Sequence, residues 1–92
     1  MSTSGFPLYR SSLLAVLAAE DRLPGPQFRD LNEVTDEHGL AEPEAGWLLR
    51  AATEFCDEGL IQIEGHALHP VPGVPVTYAL TLLGLEQAGS LT

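Results

Sequence analysis

The chain contains no lysine, and its four arginines stand against thirteen carboxylates, giving a formal net charge of −9 and an isoelectric point near 4.4. So few cations make a surface of many phosphate contacts hard to assemble, because non-specific nucleic-acid affinity comes from displacing phosphate counterions. Cysteine is scarce as well. The lone Cys56 excludes an internal disulfide framework and fits a reducing compartment. No apolar run approaches membrane-spanning length, and the N-terminus lacks the basic-then-apolar layout of a signal peptide. A cytoplasmic protein without a membrane partner is expected. There is no glycine-rich phosphate loop, nucleophile elbow or HExxH motif, so no catalytic residue and no cofactor is assigned and an enzyme is not expected.

What is present suffices for one small core. Ninety-two residues, 45% of them hydrophobic, suit a single domain. Its expected span is 8–89, with tails at 1–7 and 90–92. No internal repeat or low-complexity tract suggests a second unit.

Phe6, Tyr9, Leu13, Val16 and Leu17 recur at helical spacing, which predicts a first helix from about Leu8 to Asp21, broken by Leu23-Pro24-Gly25-Pro26. Phe28, Leu31 and Val34 mark one face of a second helix, closed by Gly39-Leu40. Ala45, Leu48, Ala52 and Phe55 form the stripe of a third, for which Pro43 suits the first helical position and Gly59-Leu60 the end. Strands are expected at Leu60 to Glu64 and Val76 to Leu80, joined by a stiff irregular loop, and Thr81 can cap a last helix, Leu82 to Ala88, stopped by Gly89. The class is α+β.

A helix ending in Glu58-Gly59-Leu60-Ile61 and feeding a strand, followed by Leu80-Thr81-Leu82-Leu83-Gly84 in the pattern LTxxG, resembles winged helix-turn-helix domains such as the MarR-like and PadR-like regulators. The resemblance spans roughly residues 8 to 89. It implies a three-helix core, a two-stranded antiparallel wing and a short C-terminal helix, with helix 43–58 as the recognition helix. Carried over by position, it places Ala45, Gly46, Trp47, Leu49, Arg50 and Thr53 on the face that would meet DNA or another partner, and His66 and His69 on the wing.

Each of these residues also has a plainer role. Arg50 has the forked donors for guanine or phosphate, yet Glu54 lies four residues on and can pair with it within the helix. Trp47 is either a core-edge indole or an exposed anchor for a partner, with Leu49 beside it. His66, His69, Cys56 and Asp57 could approach one another, but packed thiol and solvated imidazoles are the default and no metal is assigned. Glu20-Asp21, Asp36-Glu37 and Asp57-Glu58 read as solvated helix ends, and His38 as a surface residue. Phe6, Leu8, Leu82, Leu83 and Leu85 leave more apolar surface near the termini than a small monomer covers, which suggests a homodimer interface.

Charge separates the two functional classes. Residues 41–65 carry six acids and one arginine, so the helix that a DNA reader would bring to phosphate lies in the most acidic stretch. The expectation is a small protein-protein interaction module, modulating transcription or a phage or host process. The alternative is a dimeric DNA-binding transcriptional regulator. Acidity also fits a salt-adapted cytoplasm or a DNA mimic, and the lack of lysine a GC-rich genome.

Overall fold

Helix α1, Phe6–Asp21, begins two residues before its expected start, with Pro7 in the first turn, where a missing N–H costs no hydrogen bond. Phe6 and Pro7 therefore belong to the folded domain. The computed structural model describes residues 5–65 and 68–90. The inward stripe of α1 runs through Phe6, Tyr9, Leu13 and Leu17, all buried.

Residues 29 and 30, assigned by spacing to the second helix, instead form a strand. β1, Arg29–Asp30, is followed at once by α2, Leu31–Glu37. Asp30 serves both elements. Its backbone is extended, as an N-cap residue requires, and its carboxylate accepts the Glu33 N–H at 3.1 Å. Phe28, expected on α2, lies ahead of the strand and is half-buried.

Both glycine stops behave as their positions suggest. Gly39 ends α2 at φ 68°, with Leu40 N–H donating to Thr35 at 2.9 Å and Gly39 N–H to Asp36 at 3.1 Å. Gly59 ends α3, Trp47–Asp57, at φ 76°, with Leu60 N–H donating to Phe55 at 2.8 Å and Gly59 N–H to Cys56 at 3.2 Å. In each pair a left-handed glycine turns the chain so that two otherwise unpaired carbonyls are satisfied.

The start of α3 departs from expectation. Pro43 does not open it. Residues 43–46 form a turn ending at Gly46, the N-cap at φ 93°, and the Leu48 N–H is accepted by the Glu42 carboxylate at 3.0 Å. A side chain from before the turn thus satisfies the helix end that glycine cannot cap. Ala45 consequently lies outside the helix and is exposed, while Ala51, Ala52 and Phe55 are its buried residues.

β2, Ile61–Ile63, pairs antiparallel with β3, Thr77–Leu80, and β1 adds to the other side of β3, giving the order β1-β3-β2. The register sets Ile61 against Leu80, Ile63 against Tyr78, and Tyr78 against Arg29. The sheet has three strands, one more than the expected pair. Between β2 and β3 the connection contains a tight turn as well as irregular chain. Val74 N–H donates to Val71 at 3.1 Å across Pro72 and Gly73, with Gly73 at φ 81°, a type II arrangement favouring proline then glycine.

α4, Leu82–Ser90, follows β3 directly and runs past Gly89 rather than stopping there. Its start is clamped by Thr81, whose hydroxyl accepts the Gly84 N–H at 3.0 Å and lies 2.6 Å from the Gly59 carbonyl to which it donates. Gly84 sits so close to the Leu60 carbonyl that no side chain fits. The last residues of the LTxxG pattern therefore fasten α4 to the joint between α3 and β2. Phe55, Leu13, Leu17 and Leu31 fill the fully buried centre, where α1, α2 and α3 meet.

Candidate functional site

The positions singled out on α3 do not share one environment. Trp47 is half-buried, its ring edge-on to Phe6 at 5.6 Å and tilted against Tyr9 at 5.7 Å. It occupies the core edge. Arg50 stacks its guanidinium over Phe6 at 3.8 Å and pairs with Glu54 at 3.4 Å, the partner four residues on. Thr53 donates its hydroxyl to the Leu49 carbonyl at 2.8 Å, a bond within the helix. Ala45 and Gly46 are exposed, and Leu49 is half-buried.

Leu49 and Gly46 instead line a cleft together with the loop between β2 and β3. Leu48, Leu49 and Gly46 from the start of α3, Leu31 and Asn32 from α2, and Val71, Val74 and Val76 from the loop and its return enclose a cleft of about 220 Å³. Two loop valines are notably open, Val71 at 54% and Val74 at 56% exposure. They flank the Pro72-Gly73 turn, and proline also precedes and follows them, so the wall they form is stiff. Among the described residues Glu42 is the one charged residue lining the cleft, and Glu44 is exposed on the adjoining turn.

Cations are engaged elsewhere. Arg10 is held by Glu54 at 3.0 Å and Glu58 at 2.6 Å while lying over the Phe55 ring at 4.8 Å. Arg29 pairs with Glu20 and donates to the Leu23 carbonyl at 2.6 Å. With Arg50 on Glu54, Arg10, Arg29 and Arg50 are all in ion pairs among the described residues.

Glu20 corrects a sequence-based expectation. It is buried at 6% exposure, between Arg29 and His38 at 3.1 Å, rather than solvated at a helix end. His38 is correspondingly tied to a carboxylate. The His38 hydrogen bond and the Arg29 guanidinium hold the Glu20 carboxyl below its ordinary range, against the opposing effect of burial. The signal was present in the spacing: Glu20 follows Leu13 and Leu17 at four and then three residues, on the buried stripe.

Burial pushes the Tyr9 phenol up to about 12, helped by Glu42, and raises the Cys56 thiol, helped by Asp57. Burial likewise raises Tyr78. His69 is exposed and bonded to Asp57 at 2.5 Å; His66 lies outside the described residues. Among the described residues, no three His, Cys, Asp or Glu side chains gather where they could hold a metal ion. No described helix is long and apolar enough to cross a membrane.

Of the expected dimer contacts, Phe6 is buried at 8% exposure under Trp47 and Arg50, and Leu85 packs partly against the core. Phe6 is thereby largely covered within the chain. Leu8, Leu82 and Leu83 remain open, at 51%, 80% and 43%.

No family model, curated protein or solved structure matches the chain.

Proposed function

We propose that the chain is a winged-helix scaffold, with α1 to α3 as its core and the β2–β3 connection as its wing, that works as a protein-protein interaction module. One observation carries the reading: where a DNA reader would present cations, the start of α3 and the wing line a cleft of mostly aliphatic side chains with Asn32 and Glu42 among them and Glu44 beside it. DNA affinity rests on phosphate neutralisation. Here the wing residues 64–76 contain no lysine or arginine, and Arg50 is spent on Phe6 and Glu54.

The competing reading, a DNA-binding regulator, is favoured by the outward position of Arg50, whose side chain is 59% exposed. A mobility-shift assay with random-sequence duplex at low ionic strength separates the two. The interaction-module reading expects no complex at low micromolar protein. Tight, salt-sensitive binding that Arg50→Ala abolishes would replace it with the regulator.

A further inference from the structure

We infer that the cleft between the start of α3 and the Val71-Pro72-Gly73-Val74 turn receives an apolar side chain from a cationic peptide segment of a protein partner. This deepens the interaction-module reading and rests on it. Size comes first. At about 220 Å³ the cleft falls below the roughly 300–1,000 Å³ of sites that enclose a drug-sized ligand. A single side chain is the better match for that space.

The walls say which kind. Leu31, Leu48, Leu49, Val71, Val74 and Val76 offer hydrocarbon beside the polar Asn32 and Glu42, so an aliphatic or aromatic anchor gains by leaving water against those six side chains. Their arrangement is set before a partner arrives. The Val74–Val71 hydrogen bond and the flanking prolines fix the wing wall, while the Glu42 carboxylate bonded to Leu48 N–H fixes the helix wall. Little ordering remains to be done on binding, which favours affinity from a small contact.

Charge specifies the flanks of the anchor. Glu42 lines the cleft, and Glu44 is exposed on the adjoining turn. No arginine lines the cleft, and the chain as a whole carries −9. Lysine or arginine beside the anchor would meet complementary potential, whereas carboxylates would be repelled. The same charge argues against a second copy as the occupant, since each copy brings the same excess of acid.

The test is selection from a phage-displayed library of random peptides, followed by affinity measurement of the enriched sequences against three forms of the full chain. Enriched peptides should combine one large apolar residue with an excess of Lys and Arg, and added salt should weaken them. Val74→Lys, at a half-open loop position where the fold should tolerate it, should reduce their affinity by about tenfold or more. Glu42→Gln with Glu44→Gln keeps an acceptor for the Leu48 N–H but removes two charges, so binding should weaken and lose salt dependence. Unchanged melting curves would show that both variants remain folded. Failure to enrich any peptide, enrichment of neutral or acidic ones, or binding indifferent to both variants would overturn the cleft assignment. Duplex DNA is run in parallel: duplex binding lost in Arg50→Ala overturns the underlying reading, whereas peptide failure without duplex binding overturns this cleft alone.

Discussion

Gly84 gives the sharpest stability prediction, because two effects of opposite sign act on one methyl group. In a solvated helix, Gly→Ala is stabilising by about 1 kcal/mol, since alanine loses less backbone freedom. Gly84 is in α4, yet a Cβ there would press far inside contact distance on the Leu60 carbonyl oxygen and stand 2.7 Å from Leu80 Cδ1. The leucine can rotate. The carbonyl cannot easily move, for it accepts the Thr81 N–H at 3.0 Å in the joint that binds α4 to the end of α3. Relieving the clash must push α4 outward and loosen the Thr81 clamp. Overpacking of this kind costs about 1–3 kcal/mol, and a rigid backbone neighbour places it at the upper end. Subtracting the helix gain leaves a loss of about 2 kcal/mol. For a domain of this size that lowers Tm by about 8–16 °C. Circular-dichroism melts of wild type, Gly84→Ala and Gly89→Ala test it, the last being in the same helix with open space around its Cβ. Gly89→Ala should be neutral or slightly stabilising. A rise in Tm for Gly84→Ala would refute the close approach of α4 to Leu60.

Three further outcomes are expected. Trp47→Ala, removing a half-buried indole packed against the Phe6 and Tyr9 rings, should cost about 3 kcal/mol, the low end for a buried aromatic. The melt should fall by about 12–24 °C, and an unchanged melt would return Trp47 to the role of exposed anchor. Because the folded Glu20 carboxyl titrates below its ordinary 4.5, its contribution is fully present above that pH and is lost as pH falls through the depressed folded value. Denaturant titrations of Glu20→Gln should therefore lose part of the acid-side decline seen in wild type, and an identical pH profile would contradict the pairing with His38 and Arg29. Finally, Leu82 and Leu83, with Leu8, should support a weak dimer at high micromolar concentration, strengthened by salt that screens the net −9 charge. Sedimentation showing only monomer, or a dimer indifferent to Leu82→Glu, would remove that contact.

The parts of the fold legible from sequence were those fixed by local backbone chemistry. Gly39-Leu40 and Gly59-Leu60 each needed one left-handed residue and one apolar neighbour, and Thr81 needed only its position before a helix. β1 was hidden because Phe28, Leu31 and Val34 keep helical spacing whether or not the chain is helical throughout, and only the Asp30 cap decides where α2 starts. Pro43 pointed to the wrong start for α3 because the true cap is a carboxylate reaching across the turn from Glu42. The cleft was least legible of all. Leu49 and Val74 are twenty-five positions apart in sequence, and their lining one cleft depends on where the β2–β3 loop folds.

What the start of α3 and the β2–β3 loop recognise can be read at residue level in one titration. Isotope-labelled protein is titrated with random-sequence duplex DNA at low ionic strength while the amide signals of Gly46, Leu49, Arg50, Val71 and Val74 are followed. These signals should stay in place through stoichiometric DNA, since the face has aliphatic side chains and carboxylates where phosphate would need cations. Saturating shifts at those amides, reversed by salt and missing in Arg50→Ala, would contradict the account and make the protein a DNA reader.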